Sequence, residues 1–372
     1  QHHRPADHRL RRILALGAAV MRLCIIADDL TGALDAAAPF AGRGLCVRVA
    51  LDPGATAMVV AQNPDVMAVS TRSRDGDEDA ARAAMAQVLA ALPPGPQLMK
   101  KVDSRLKGHV AAELAVLAPP AMLVAPAIPD FGRITRDGQV RGFGVATPID
   151  IRDRLGALAG RAIIPDIETP EEMRAALAHA PQDALLVGAR GLSEALSIAM
   201  TGQAVPTPVR PRASRALMIV GSQDPITLAQ VERVAPGLSC ADAPLGDLAG
   251  AGTLAGADHL LVQATPADTA TRPPEAVARA LARSTHPRLT AGRQAILLTG
   301  GATAEAVLAE MGVRILDLRG ECLPGLPVGV PVGPTVGPTA GQDDGTCIIA
   351  KSGGFGDVNT LALVLAMFRD EL

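Results

Sequence analysis

The stretch "CIIADDLTGALDAAAPF", Cys24 to Phe40, decides the fold. A short apolar run ends in two adjacent carboxylates, and an Ala/Leu-rich helical pattern comes directly after. That is the signature of a buried parallel strand feeding a helix, the repeating unit of α/β proteins. Asp29 is placed to cap the helix, which accounts for one of the two acids and leaves Asp28 over. Gly32 in the first turn weakens the helix against Ala, so something is expected to approach the backbone there. Asp35 comes one turn after Thr31 on the same face.

Working outward, the same alternation recurs. Strands are expected at "LCVRVAL", "VMAVST", "QLMKKV", "MLVAPA" and "ALLVGA", with helices near 77–91, 109–117, 170–179 and 191–199. A second series begins with "ALMIVGS" and continues with "HLLVQA", "AILLTG" and "CIIAKS", with helices near 225–234, 274–283 and 302–311. A length of 372 residues calls for two domains. The expected fold is α/β, with two Rossmann-like domains, mainly parallel sheets and an interdomain cleft. Residues 1–20 read as a mobile leader, 21–200 as a substrate-binding domain, 201–214 as a Pro-rich linker and 215–372 as a nucleotide-binding domain. The Gly/Pro-rich segment 323–345 reads as a mobile surface loop.

Composition excludes several classes. Net charge is -3 and Trp and Tyr are absent, so base-stacking surfaces for nucleic acid are not expected. Five scattered cysteines suggest free thiols in a reducing compartment. No run reaches the roughly 18 apolar residues of a membrane span, and a cytoplasmic protein is expected.

Ligands of parallel α/β sheets bind beyond the carboxyl ends of strands, so the residues just past each strand carry the most information. After one strand come Arg72 and Arg74, expected on one side if the strand persists. After another, "KKVDSRLKGHV" (Lys100 to Val110) gathers four cations around Asp103 and Ser104, with Gly108 allowing a tight approach. A helix starting near Ser104 or His109 would add its free N–H groups, giving an anion site that contains one acid. Arg133 and Arg136 lie in a Pro/Gly-rich turn region. In the second half, Asp224-Pro225 marks a helix start, Gly300-Gly301 joins a strand to a helix, and Lys351-Ser352 precedes three glycines. No G-x-x-x-x-G-K-[ST] sequence and no complete dinucleotide fingerprint occur, which favours a non-Walker phosphotransferase over a dehydrogenase.

The ordered set resembles the four-carbon acid sugar kinase family over residues 21–372. Its A-D-D-x-T-G-A-x-D element matches Asp28, Asp29, Thr31, Gly32, Ala33 and Asp35. T-x-S-R matches Thr71, Ser73 and Arg74, and K-x-D-S-x-x-x-G matches Lys101, Asp103, Ser104 and Gly108. P-A-x-P-x-x-G-R-x-T matches Pro126, Pro129, Gly132, Arg133 and Thr135. The G-S, T-G-G-x-T-A and K-S-G-x-F-G elements fall on Gly221-Ser222, Thr299–Ala304 and Lys351–Gly356.

The resemblance implies ATP- and Mg²⁺-dependent phosphorylation of the terminal hydroxyl of a sugar acid such as threonate, erythronate or 3-oxo-tetronate. It points to Asp103 or Asp29 as the catalytic base. Substrate is expected at Asp28, Asp29, Arg74, Lys101, Asp103, Ser104, Arg105, Lys107, Gly108 and Arg133. Nucleotide is expected at Ser222, Gly300, Gly301, Ala302, Thr303, Lys351, Gly353 and Gly354. The chain departs from the family's D-S-T-L-R-G-N with Arg105, Lys107 and His109, and carries Asp224 and Ala302 where Ser and Glu are usual. Those two changes motivate one alternative, a non-catalytic acid-sugar sensor; a nicotinamide-dependent oxidoreductase is the other. The expected partner is a small sugar acid, with no nucleic acid or membrane, and a homodimer as the oligomeric form.

Overall fold

The computed structural model describes residues 21–250, 254–267, 270–333 and 345–371. The leader 1–20 and most of the repeated "VGPT" lie outside them. The chain divides into two compact units at Pro206/Thr207, inside the Pro-rich segment.

In the first unit the strands are β1 (Leu23–Ala27), β2 (Val47–Ala50), β3 (Val66–Ser70), β4 (Gln97–Lys101), β5 (Met122–Ala125), β6 (Arg133–Arg136), β7 (Gln139–Gly142), β8 (Ile149–Asp150), β9 (Ala162–Ile163) and β10 (Leu185–Gly188). The main sheet is parallel throughout, in the order β2-β3-β1-β4-β10-β5-β9. β1 and β3 are buried at every position, as strands covered by helices on both faces must be. The helix Leu30–Ala41 starts where expected, with the Asp29 carboxylate accepting from Gly32 N. Asp77 caps Glu78–Ala91 in the same way, and Thr169 with Glu172 closes a reciprocal capping box on Pro170–His179. β6, β7 and β8 form a small antiparallel sheet. Its first two strands run through "RITRDGQVRG", whose mixed polarity conceals them.

The second unit holds β11 (Ala216–Val220), β12 (Ser239–Pro244), β13 (His259–Thr265), β14 (Ala295–Thr299), β15 (Ile315–Leu323), β16 (Leu326–Pro331) and β17 (Cys347–Lys351). Their order is β12-β13-β11-β14-β17-β16-β15, parallel up to β17 and antiparallel beyond it. The segment 323–345 is therefore not one loop. Leu326–Pro331 pairs on both sides, and its Pro residues are tolerated because they sit near the hairpin turn and at the strand's end. The glycines after Lys351-Ser352 are succeeded by the helix Thr360–Phe368. That helix is almost wholly apolar and packs into the unit's core, so it shows no amphipathic period. All five cysteines are free thiols. Among the described residues no helix is long and apolar enough to cross a membrane.

Candidate active site

Strand register builds the first half of the site. Ala27 pairs with both Ser70 and Lys101, so β1, β3 and β4 end level with one another. Chain order reverses across β1, whose neighbours are β3 and β4, and the residues after these three strands converge at this switch point. Thr71 N donates to Ala27 O at 2.8 Å, and Ser73 N donates to Asp28 O at 2.9 Å, lacing two of the strand ends together.

The side chains above that edge form one charged cluster. Arg74 grips Asp28 with two hydrogen bonds, Nε to Oδ2 at 2.9 Å and Nη2 to Oδ1 at 2.7 Å. The same Nη2 donates to Asp29 Oδ1 at 2.8 Å. Asp29 also accepts from Gly32 N at 2.9 Å and from the Thr31 hydroxyl at 2.6 Å. Burial works to raise the pKa of Asp28. The Arg74 hydrogen bond and the charges of Arg74, Lys100 and Lys101 outweigh it and hold the carboxyl below the usual range.

The backbone comes close here. A Cβ on Gly32 would stand 2.4 Å from Asp29 Oδ1 and 3.2 Å from Lys101 Nζ. One on Gly108, where φ is +82°, would stand 2.8 Å from Asp28 Oδ2. The approach foreseen at Gly32 is thus made by the capping acid and by Lys101, a buried ammonium that donates to Val102 O at 3.2 Å.

The turn from Asp103 to His109 precedes the helix Val110–Leu117, so of the two expected starts the later one holds, with His109 at the cap. Asp103 Oδ2 accepts from Arg105 N at 2.9 Å, while Oδ1 accepts nothing from the protein among the described residues. Arg133 reaches over from β6: Nη1 donates to Ser104 Oγ, and Nε and Nη2 donate to Phe143 O at 3.0 and 2.8 Å. Desolvation lowers the Arg133 pKa most, and the charge of Arg105 lowers it further, as two guanidinium groups near one another must. Lys107 is exposed.

Two expectations fail. Arg72 does not share a side with Arg74. The strand stops at Ser70, Arg72 takes a left-handed φ of +53°, and its Nε donates to Leu51 O at 2.9 Å. Alternation therefore ends before it reaches either arginine. Lys100, counted among the cations of the anion loop, points into the core and pairs with Glu113 at 3.0 Å.

In the second unit Val220 pairs with Thr299, and Thr299 with Lys351, so three strand ends are again level, while β13 runs two residues beyond Gln263, the partner of Val220. A Cβ on Gly221 would lie 1.8 Å from Thr303 Oγ1, which requires glycine where the two segments touch. Gly300 has φ +89° and caps Gly301–Glu310 without a side chain, so the N–H groups of Gly301, Ala302 and Thr303 meet no capping oxygen. These groups close one end of a cavity of about 300 Å³, walled by Leu245, Pro266, Pro274 and Val277 and edged by Gln223 and Arg272. Sequence reading missed this wall, because it comes from loops and a helix face that carry only ordinary apolar residues.

Gly353 leans on Ser222, whose Oγ would be 2.4 Å from an added Cβ. Asp224 caps Pro225–Val234 through Ile226 N. Lys351 lies buried beneath the glycine loop and donates to Thr227 Oγ1 at 3.0 Å, Ser352 O at 3.1 Å and Gly353 O at 3.0 Å. Burial pushes its pKa down to about 8, against the pull of Asp224. All three protons of the ammonium are engaged in shaping the loop, which leaves the loop's own surface to meet a ligand.

Residues 23–147 match the sequence family described as a sugar-binding N-terminal domain, and residues 253–361 match a nucleotide-binding C-terminal domain. A D-threonate kinase of Cupriavidus necator is 31% identical over 83% of this chain and 90% of its own length. A D-threonate kinase of Bordetella bronchiseptica is 28% identical over 93% of this chain and 97% of its own. In fold, the chain resembles a solved Haemophilus influenzae protein of the DUF1537 family, with a TM-score of 0.65 at 16% identity over 93% of this chain and 100% of that one. With its motif order, strand-end cluster and glycine-lined cavity in place, the chain belongs to the four-carbon acid sugar kinase family.

Proposed function

We propose that the protein transfers the γ-phosphoryl group of ATP to the terminal hydroxyl of a four-carbon sugar acid, with D-threonate the first candidate. The observation that carries the reading is the cavity ending at the uncapped helix start Gly301–Thr303. An apolar wall suits a base, and free N–H groups on a helix dipole suit its phosphates. The names of the relatives supply the acceptor class.

Asp103 is the better base of the two candidates. Both oxygens of Asp29 are occupied by Gly32, Thr31 and Arg74, whereas Asp103 keeps Oδ1 open to accept a hydroxyl proton. The carboxylate of the acid is assigned to Arg105 and Arg133, which pair with no carboxylate among the described residues, whereas Arg74 is already committed to two aspartates. Lys101, Lys107, Ser104 and Gly108 line the same turn, and Asp28, each of whose oxygens accepts a single hydrogen bond from Arg74, is left to read a hydroxyl.

Mg²⁺, when bound, neutralises charge on the phosphates. Among the described residues no three carboxylates, histidines or cysteines gather into a cage. A single carboxylate with phosphate oxygens is what Mg²⁺ commonly takes, and Asp224 fits, its Oδ2 being 3.4 Å from where a Gly354 Cβ would stand. The sensor and oxidoreductase alternatives are not favoured by relatives that are kinases.

The test is ADP release from Mg-ATP with D-threonate, its stereoisomers, erythronate and 3-oxo-tetronate in turn. Turnover with one of them is expected; silence with all at high enzyme concentration would remove the kinase reading.

A further inference from the structure

Lys100 and Glu113 are sealed in the first unit, with side chains 0% and 1% exposed and Nζ 3.0 Å from Oε2. Desolvating such a pair costs about as much as its attraction returns, and apolar residues would commonly serve the core as well. The other contacts of the carboxylate are therefore informative. Its second oxygen, Oε1, accepts from Ser73 Oγ at 2.7 Å and lies 3.4 Å from Thr71 Oγ1. Thr71 Oγ1 is in turn 2.7 Å from Ser73 Oγ. Ser73 Oγ gives its proton to the anion and accepts from Thr71 Oγ1, whose single proton is shared with Ala27 O at 3.0 Å, so the chain runs from Thr71 through Ser73 to Glu113.

Three walls of the candidate site meet at this carboxylate. Thr71 and Ser73 come just after β3, Lys100 belongs to β4, and Glu113 stands in the helix after the Asp103–Gly108 turn. Arg74, next in the chain to Ser73, is the residue that forks onto Asp28 and Asp29.

We propose that Glu113 is a positioning residue: through Ser73 and Thr71 it fixes the turn from which Arg74 orders the two aspartates, and so sets affinity for the sugar acid. The proposal rests on the kinase reading for its effect on substrate, but the link itself does not.

Ser73→Ala and Thr71→Val cut the chain and leave the ion pair intact. Ser73→Ala should raise KM for D-threonate about tenfold, the loss of a hydrogen bond to a charged group, and Thr71→Val about fivefold, the loss of one between neutral groups, while KM for ATP stays unchanged. Ser73→Thr keeps the hydroxyl and should restore most of the affinity. Glu113→Gln alone strands a buried ammonium, so Lys100→Met is added; the amide oxygen can still accept from Ser73, and this double variant should bind the acid better than Ser73→Ala. The proposal is overturned if Ser73→Ala and Thr71→Val leave KM for the acid within about twofold of wild type, or if both substrates' KM values rise together in step with a lower melting temperature. A denaturation cycle pairing Ser73→Ala with Arg74→Lys reads the link without turnover. Non-additive losses support it and additive losses overturn it. A wild-type protein that phosphorylates none of the acids would thus remove the kinase reading, while the cycle still decides the link.

Discussion

Asp103 and Asp29 both lie just past strand ends, yet their lone pairs are committed differently, and on the proposed reading this makes Asp103 the proton acceptor and Asp29 a scaffold acid. Asp103→Asn should lower kcat by roughly 100- to 10,000-fold with little change in KM for the acid, measured by steady-state ADP release. Gly221→Ala should destabilise the second unit by about 1–3 kcal/mol, since its methyl would overlap the Thr303 hydroxyl; a thermal melt would show it. Lys351 makes a prediction in pH. Below about pH 8 it donates three hydrogen bonds under the glycine loop; above that it has only two protons and must release one acceptor. ADP affinity should therefore weaken as pH rises through 8, read by calorimetry. Stability moves the other way on this group's account. Its folded pKa lies below the ordinary 10.5, so the unfolded chain binds the proton more tightly and the folded state gains between about 8 and 10.5. Lys351→Met should abolish both trends.

The helix Gly301–Glu310 offers a test in which stability and binding part company. Ala302→Asp would put an anion in the first turn and complement the helix dipole by about 0.3–1 kcal/mol. The same charge would face the phosphates, so the melting temperature of the free protein should rise slightly while ADP affinity falls. This helix was legible in "TGGATAEAVLAEMG", as was Leu30–Ala41 in "DDLTGALD", because caps and glycines act locally. The pair β15–β16 and the sheet β6–β7–β8 were not. Prolines, glycines and arginines dominate those stretches, and they form strands because neighbouring strands supply the hydrogen bonds.

For the protein taken entire, saturating Mg-ADP should raise the melting temperature by mass action and NAD should not, since only the folded nucleotide site binds. Differential scanning fluorimetry would decide it, and equal protection by NAD would count against the nucleotide assignment. The order of the motifs and the strand-to-helix units that carry them were set by the sequence alone. Apolar runs, capping acids and glycines declare themselves within a few residues of where they act. Only the tertiary structure could decide which charges are spent on one another. Arg74 is bound to Asp28 across 46 positions, Lys100 turns inward to Glu113, and Arg72 leaves for Leu51 O. The apolar wall at Leu245 and Val277 likewise forms only when distant loops pack together. Electrostatic pairing and cavity shape depend on distances through space, and spacing along a chain fixes those only after folding.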